Sequence, residues 1–257
     1  MAQKMTISIL IANYQGHEAV ELCIESILKR TVYDSYKIIV LDSSPKDSGD
    51  KEYLRYQRDK NNIELMESEV KLGHGATLSR LLQRCDTDFA CLLDSDCEIL
   101  TGDWLSILAG SLKGKNDLGV AKLRTPWIGA GYWWAPTYWP CVMFLNVKLY
   151  REFEGEDDWS RKNINFDEYK YKHLFKDFKG KSKGNIISRD TAWRFTEKVL
   201  FETDNRYKIH PMPLNFWDTR VKHYGGITRN HYRPDHPVMI PRWKIIKENL
   251  TKLRNSK

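Results

Sequence analysis

Three acidic residues follow directly on a strand-like apolar run in the segment FACLLDSDCEIL, residues 89–100. They are Asp94, Asp96 and Glu98, and they come where the apolar run ends. Carboxylate oxygens at this spacing can hold a hard divalent cation, and such a cation can neutralise a diphosphate. The same pattern also suits the beginning of a solvated loop. The choice between a cation site and a loop depends on the rest of the chain.

The first 125 residues alternate between strand and helix patterns. β-rich runs at 6–14, 37–44, 62–68, 89–94 and 118–124 are separated by segments with helical spacing of apolar residues. This alternation predicts an α/β fold with a mostly parallel sheet and helices on both faces. Ligands bind such sheets at the carboxyl ends of the strands. Asn13, Asp42 and the acids from Asp94 onward all fall at such ends, which favours a site over a loop.

The alternation breaks after residue 125. The segment WIGAGYWWAPTYWP, residues 127–140, combines Trp and Tyr with Gly and Pro and predicts a loop that carries large aromatic surface. We predict a strand over 141–150, a long loop with a helical piece over 151–188, and a helix over 188–202. A short strand at 207–213 and a strand or loop at 220–232 follow. We assign residues 126–230 to a second half of the same domain.

The charge and the cysteine content limit the kinds of partner and the cellular compartment that we expect for this protein. The 257 residues carry a net charge of +7, which suits an anionic partner such as a nucleotide or a phospholipid surface. The basic residues form no recognisable nucleic-acid-binding motif, so we expect no nucleic-acid partner. No apolar run approaches about 18–20 residues, so no transmembrane helix is expected. Five cysteines without a C-x-x-C pair predict reduced, mostly buried thiols in a cytoplasmic protein.

Residues 231–257 form a basic tail with helical periodicity. Trp243, Ile246, Leu250 and Leu253 share one face, and Lys and Arg occupy the other. Such a helix can lie on an anionic membrane or pack on the domain. We favour packing and keep peripheral contact with the inner face of the membrane as the alternative.

Several short motifs, in order, resemble the family 2 glycosyltransferases of GT-A fold. The resemblance covers residues 5–230 and includes the bacterial transferases that handle rhamnose or build polysaccharides. Each motif is weak alone, but their order and spacing together are specific. The matching segments are ILIANYQ, IIVLDSSPKDSG, KLGHGATLSRLL, LLDSDCEI followed by DWL, RDTAW and HYGG.

The resemblance implies a nucleotide-sugar donor and assigns a role to each motif. The acid that contacts the base corresponds to Asp42, and the D-x-D motif that holds a divalent metal on the diphosphate corresponds to Asp94 and Asp96. If the strand continues, these two acids point to opposite faces, so we assign Asp96 to the metal and Asp94 with Ser95 to the donor. The base that deprotonates the acceptor corresponds to Asp190, and His223 before a Gly pair completes the metal shell.

Other residues extend the predicted site, and each has a structural alternative. Asn13 could line the nucleotide pocket or cap the next helix, and Gly73 could allow close approach of a ligand or form a plain turn. Asp42 and Asp190 could be simple turn or cap residues, and a lone histidine is often structural. Further candidates are the alternative bases Glu156, Asp157 and Asp158, and the phosphate clamp Arg229, His231 and Arg233. We also expect an acceptor wall formed by Trp133, Trp134 and Trp139.

The sequence thus predicts a metal-dependent, inverting glycosyltransferase. We expect a UDP, GDP or dTDP sugar as donor, Mn²⁺ or Mg²⁺ as the metal, and a glycan or lipid-linked glycan as acceptor. The alternatives are a polyprenyl-phosphate glycosyltransferase and a catalytically silent carbohydrate- or nucleotide-binding module.

Overall fold

The computed structural model describes residues 5–125, 127–129, 132–153, 162–165, 168–174, 186–189, 191–225 and 239–256. Of these, residues 127–129, 132–134, 162–165, 186–189 and 239–240 are described by their backbone alone. The strands are β1 Ile7–Asn13, β2 Tyr36–Asp42, β3 Glu64–Glu67, β4 Phe89–Asp94, β5 Cys97–Ile99, β6 Asp117–Arg124, β7 Trp127–Gly129, β8 Tyr132–Trp134, β9 Thr137–Asn146, β10 Lys162–Asn165, β11 Ile186–Arg189, β12 Lys208–Pro211 and β13 Val221–His223. The helices are α1 His17–Arg30, α2 Gly49–Asn61, α3 His74–Arg84, α4 Trp104–Gly110, α5 Val147–Phe153, α6 Trp193–Phe201, α7 Phe216–Thr219 and α8 Met239–Asn255.

A seven-stranded sheet forms the centre, in the order β12-β6-β9-β4-β1-β2-β3. Strand β9 runs antiparallel to both of its neighbours, and the other adjacent pairs are parallel. The predicted α/β fold with a mixed, mostly parallel sheet is therefore confirmed. The central strands are apolar on both faces because helices cover both sides of the sheet. One cluster includes Ile9, Val40 and Leu93, and the other includes Leu10, Ile39 and Leu92.

Strand register brings the predicted polar residues to one edge of the sheet. Asn13 is the register partner of Asp42, and Ala12 is the partner of Asp94. Parallel strands β1, β2 and β4 therefore end side by side, as the sequence predicts.

The second half departs from the sequence prediction in three places. Residues 127–140 are not all loop, because β7 and β8 pair there and β9 already begins at Thr137. The strand predicted over 141–150 ends at Asn146, and helix α5 follows. The helix predicted over 188–202 begins only at Trp193, because residues 186–189 form β11 and pair with β10. Non-local strand pairing overrides the local pattern in the first and third cases.

Helix α8 packs on helix α1 through its apolar face. Ile246, Leu250 and Leu253 are buried against Ala19 and Leu22. At the edge of this contact Lys247 Nζ lies 3.1 Å from Glu18 Oε1, and Arg254 pairs with Glu21. Of the two arrangements considered for this tail, packing on the domain is the one observed.

Candidate active site

The ends of β1 and β2 form a buried polar cluster with the beginning of α2. Asn13 Nδ2 donates to Asp42 Oδ1 at 2.9 Å and to Asp50 Oδ1 at 3.1 Å. The backbone N–H of Gly16 donates to the same oxygen of Asp50 at 2.8 Å. This cluster holds the loop after β1 against the end of β2.

The two carboxylate oxygens of Asp42 differ in their hydrogen bonding. Its Oδ1 also accepts from the Ser44 hydroxyl at 2.7 Å and from the Ser44 N–H at 3.3 Å. Its Oδ2 and the Asn13 Oδ1 are buried without a hydrogen-bond partner among the residues that the structure describes. Burial raises the pKa of Asp42 above its ordinary value, although the bonds from Ser44 and Asn13 oppose the rise. An N–H of a bound base would satisfy the orphaned carboxylate oxygen.

A turn after β4 brings Asp94 and Asp96 to the same imidazole. His223 Nε2 lies 3.0 Å from Asp96 Oδ1 and 3.3 Å from Asp94 Oδ2. The strand ends at Asp94, and Ser95 and Asp96 form a turn before β5. The premise that the strand continues and points the two acids to opposite faces is therefore wrong. Both carboxylates lie within 3.3 Å of the same imidazole nitrogen.

Strand β13 places His223 beside these two acids. It pairs antiparallel with β5, with Val221 opposite Ile99 and His223 opposite Cys97. The N–H of Tyr224 then donates to the carbonyl of Asp96 at 3.0 Å. The histidine and the second acid of the D-x-D motif are thus fixed through a shared backbone ladder, although they are far apart in sequence.

The two acids favour the protonated form of His223, so a cation that bound here would replace that proton. Burial disfavours the charged imidazole, but the bonds to Asp94 and Asp96 raise the pKa of His223 to about 10. Burial would raise the pKa of Asp94, but His74 and His223 together hold it well below its ordinary value. Two sets of possible ligands have all their ligand atoms within 4.8 Å of one another: Asp94 with Cys141 and His223, and Asp96 with Cys97 and His223. Burial raises the pKa of both thiols far above the ordinary value, and carboxylate oxygens are the donors that a hard cation prefers.

Helix α3 begins beside the two acids. His74, its first residue, places Nε2 at 3.2 Å from Asp94 Oδ1. A Cβ built on Gly73, the residue before the helix, would meet no heavy atom within 4 Å. The absent side chain therefore leaves open space at a helix N-terminus, where anions bind favourably. Ser95 lies close to the loop after β1, because its Oγ is 4.0 Å from a Cβ built on Gly16.

Trp139 lies directly beside the cluster. Its ring centroid is 5.0 Å from that of His223 in an edge-on arrangement and 5.6 Å from that of Trp217. The guanidinium of Arg124 stacks 4.1 Å from the Trp139 centroid, and Lys122 Nζ lies 5.5 Å away. One predicted acceptor residue thus sits at the sheet edge next to cationic groups. Trp133 and Trp134 lie in β8, but their side chains are outside the described part of the structure.

Asp190, the predicted base, lies outside the described residues, between β11 and Thr191. The alternative bases Glu156, Asp157 and Asp158 also lie outside them, as do Arg229, His231 and Arg233. Their assignments stay predictions.

Three residues at this edge of the sheet have contacts that the sequence did not indicate: Asp50, Glu98 and His74. Asp50 looks like an ordinary first-turn acid of α2, yet it is 4 % exposed and bonded to Asn13. The sequence favours a helper or surface role for Glu98, but the residue is 3 % exposed. His74 belongs to a Gly-rich segment that predicts only a turn, whereas its imidazole reaches Asp94. An acid two residues after the D-x-D motif, between the apolar residues Cys97 and Ile99, is the available signal for Glu98.

The sheet order, the reversed β9 and the acids at the strand ends define the α/β fold called GT-A. The chain belongs to glycosyl transferase family 2, whose family model matches residues 8–195. No curated protein matches the chain.

Two solved glycosyltransferase structures are similar to this chain at low identity. A mannosyltransferase from Pyrobaculum calidifontis, in complex with GDP-Man and Mn²⁺, is 13% identical over 74% of this chain and 58% of that one, with a TM-score of 0.50. GalNAc-T7 with UDP, GalNAc and Mn²⁺ is 14% identical over 74% of this chain and 43% of that one, with a TM-score of 0.49. This chain therefore spans less than two thirds of the length of either protein.

Proposed function

We propose that this protein is a metal-dependent, inverting glycosyltransferase that moves a hexose from a UDP, GDP or dTDP sugar to a hydroxyl of a glycan or lipid-linked glycan. One observation carries the proposal: Asp94, Asp96 and His223 converge at the strand ends of a family 2 fold, with 3.0 and 3.3 Å between the imidazole nitrogen and the two carboxylates. Carboxylate and imidazole ligands suit Mn²⁺, which is bound in both solved relatives. Mg²⁺ is the alternative.

Each described residue has a task in this reaction. Asp96 and His223 would hold the metal, and Asp94 would hold the metal or the donor ribose. Bound there, the metal would neutralise the charge that develops on the diphosphate as the glycosidic bond breaks. Asp42 and Asn13 would bind the base, while Gly73 and Ser95 would contact the rest of the nucleotide.

The acceptor hydroxyl would attack from the side of β9. Trp139 offers an aromatic face for a sugar ring, and Trp133 and Trp134 would extend it. Asp190 would take the proton of the attacking hydroxyl, with an acid of residues 156–158 as the alternative base. Direct displacement by this hydroxyl would invert the anomeric centre, which NMR of the product would show.

Contact with a membrane surface would use the exposed basic side of α8, because its apolar side is buried on α1. Lys244, for example, is 77% exposed at its side chain. None of the helices within the described ranges is long and apolar enough to cross a bilayer. We place the reaction in the cytoplasm, at the inner face of the membrane when the acceptor is lipid-linked.

The test is calorimetric titration of UDP, GDP and dTDP with and without Mn²⁺. We expect metal-dependent binding of one nucleotide by the native protein and its loss in Asp96→Ala. A matched control is Asp88→Ala, which removes an acid beside the opposite end of β4, where Asp88 Oδ2 accepts from the N–H of Thr6. Absence of binding for every nucleotide, with and without Mn²⁺, would refute the donor site and favour a silent binding module.

A further inference from the structure

Glu98 connects the metal-site strands to the C-terminal helix. It follows Asp96 by two residues and lies in β5, where its carboxylate is almost fully buried. Arg30 at the end of α1 lies 3.1 Å from Glu98 Oε1. The second oxygen, Oε2, accepts from the Tyr224 hydroxyl at 2.6 Å and from Asn249 Nδ2 at 2.9 Å. A buried carboxylate is costly unless its oxygens are bonded, and both oxygens of Glu98 have partners.

Tyr224 carries this network to His223. It is the residue after His223, and its own N–H donates to the carbonyl of Asp96. Asn249 Nδ2 also lies 2.8 Å from the Tyr224 hydroxyl, so the three side chains form a closed triangle. The three residues come from different parts of the fold: Glu98 lies in β5, Tyr224 directly follows β13, and Asn249 lies in α8.

Helix α8 makes a second contact with the same segment. Arg242 Nη1 donates to the carbonyl of Gly225 at 2.6 Å. Gly225 has a φ of 66°, a left-handed conformation that suits glycine. A Cβ there would lie 3.4 Å from both Arg242 Nη1 and His223 Cε1. The chain that leaves His223 is thus held on one side by β5 and on the other by α8.

We propose that Asn249 is a positioning residue for the metal site, acting through Glu98 and Tyr224 to fix His223 relative to Asp96. This inference rests on the proposed function. The family match ends at residue 195, and Tyr224 and Asn249 lie beyond it. Groups that orient metal ligands typically change metal affinity by about 10–100-fold when they are removed.

The test measures Mn²⁺ affinity by electron paramagnetic resonance, together with the melting temperature of each variant. Asn249→Leu keeps the branching and the number of heavy atoms of the side chain but removes the donor to Glu98 and Tyr224. We expect its Mn²⁺ dissociation constant to rise about tenfold. Tyr224→Phe should act in the same direction. Because both substitutions act through Glu98, a variant that carries both should bind Mn²⁺ only slightly more weakly than the single variant with the lower affinity.

The control variant is Leu253→Ala, one turn further along the same helix. Leu253 is buried in the contact with α1 and has no part in the triangle. We expect it to lower the melting temperature at least as much as Asn249→Leu does, with unchanged Mn²⁺ affinity.

The outcomes separate this inference from the proposed function. Native protein that binds Mn²⁺, with Asn249→Leu and Tyr224→Phe binding it equally well, would overturn the positioning role alone. Equal weakening in Leu253→Ala would also overturn it, because general loosening of α8 would then explain the effect. Native protein that binds no Mn²⁺, with or without UDP, GDP or dTDP, would overturn the metal site and the positioning role together.

Discussion

Neutralising Asp42 should separate its role in binding from its effect on stability. In Asp42→Asn, the amide oxygen should take the place of Oδ1, because Asn13 and Ser44 donate three hydrogen bonds to that position. The amide nitrogen then takes the place of Oδ2 and presents N–H groups to the base. A ring N–H of uracil, thymine or guanine would meet a donor instead of an acceptor.

The expected loss follows from the bond that is removed. A hydrogen bond to a charged group contributes about 1.5–3 kcal/mol, and an unpaired donor costs about 1 kcal/mol or more. Together these reach about 3 kcal/mol, so the dissociation constant of the nucleotide should rise about 100-fold. Calorimetric titration of the preferred nucleotide in the presence of Mn²⁺ measures this directly. CDP should bind poorly to the native protein, because the ring N3 of cytosine is an acceptor.

Stability should change in the opposite direction. Burial raises the pKa of Asp42 in the folded state, so its ionised form costs stability. This cost begins as the pH rises through the unfolded value of about 3.9 and is complete above the folded pKa. Asparagine cannot ionise, so Asp42→Asn should melt at an equal or higher temperature at pH 7.

Asp50→Asn is the matched control. It neutralises a second buried carboxylate in the same cluster, and its amide oxygen can still accept from Asn13 and Gly16. Nucleotide affinity should change by less than about threefold in this variant, well under the factor of ten that 1.4 kcal/mol represents. Unchanged binding in Asp42→Asn, or an equal loss in Asp50→Asn, would refute the reasoning.

Three further predictions concern the acceptor side, the C-terminal helix and the edge strand β12. Trp139→Leu should raise the KM for the acceptor more than it lowers donor affinity, because the indole face is lost while the Asp42 cluster is untouched; steady-state kinetics with both substrates measures this. Leu250→Ala should lower the free energy of unfolding by about 2–5 kcal/mol in urea titrations, because Leu250 is 4% exposed in the α1–α8 contact. Asp117 is buried, but the N–H groups of Gly114 and Lys113 and the imidazole of His210 lower its pKa. The ionised Asp117 therefore stabilises the fold above its unfolded pKa, and this stabilisation is lost as the pH falls through its folded pKa. Asp117→Asn should lower the melting temperature at pH 7, and the melting temperatures of the variant and the native protein should converge in acid.

The convergence of polar residues at the sheet edge could be predicted from the sequence because its signal is local. Buried parallel strands show continuous apolar runs, and each run ends at a polar residue that must lie at the same sheet edge. The predicted convergence of Asn13, Asp42 and Asp94 depends only on strand ends and parallel pairing. Register partners in β1, β2 and β4 confirm it.

The remaining parts depend on pairings that no local pattern encodes. The Trp-rich segment looks like a loop because Gly and Pro interrupt it, yet β7 and β8 pair within it. Glu98 looks like a surface acid because its partners Arg30, Tyr224 and Asn249 come from distant segments. A buried charge of this kind can be recognised only when its partners are known.

The pairing of β13 with β5 also gives the site an order of assembly during synthesis. The strand ends that carry Asn13, Asp42 and Asp94 are complete once the N-terminal half has left the ribosome, whereas Tyr224 follows Glu98 by 126 residues. At roughly 5–20 residues per second, this separation corresponds to a delay of about 6–25 s. During that interval the nascent chain can form the cluster of Asn13 and Asp42 but has no His223 to contact Asp94 and Asp96. The proposed nucleotide pocket is therefore expected to mature before the proposed metal site on every newly made molecule.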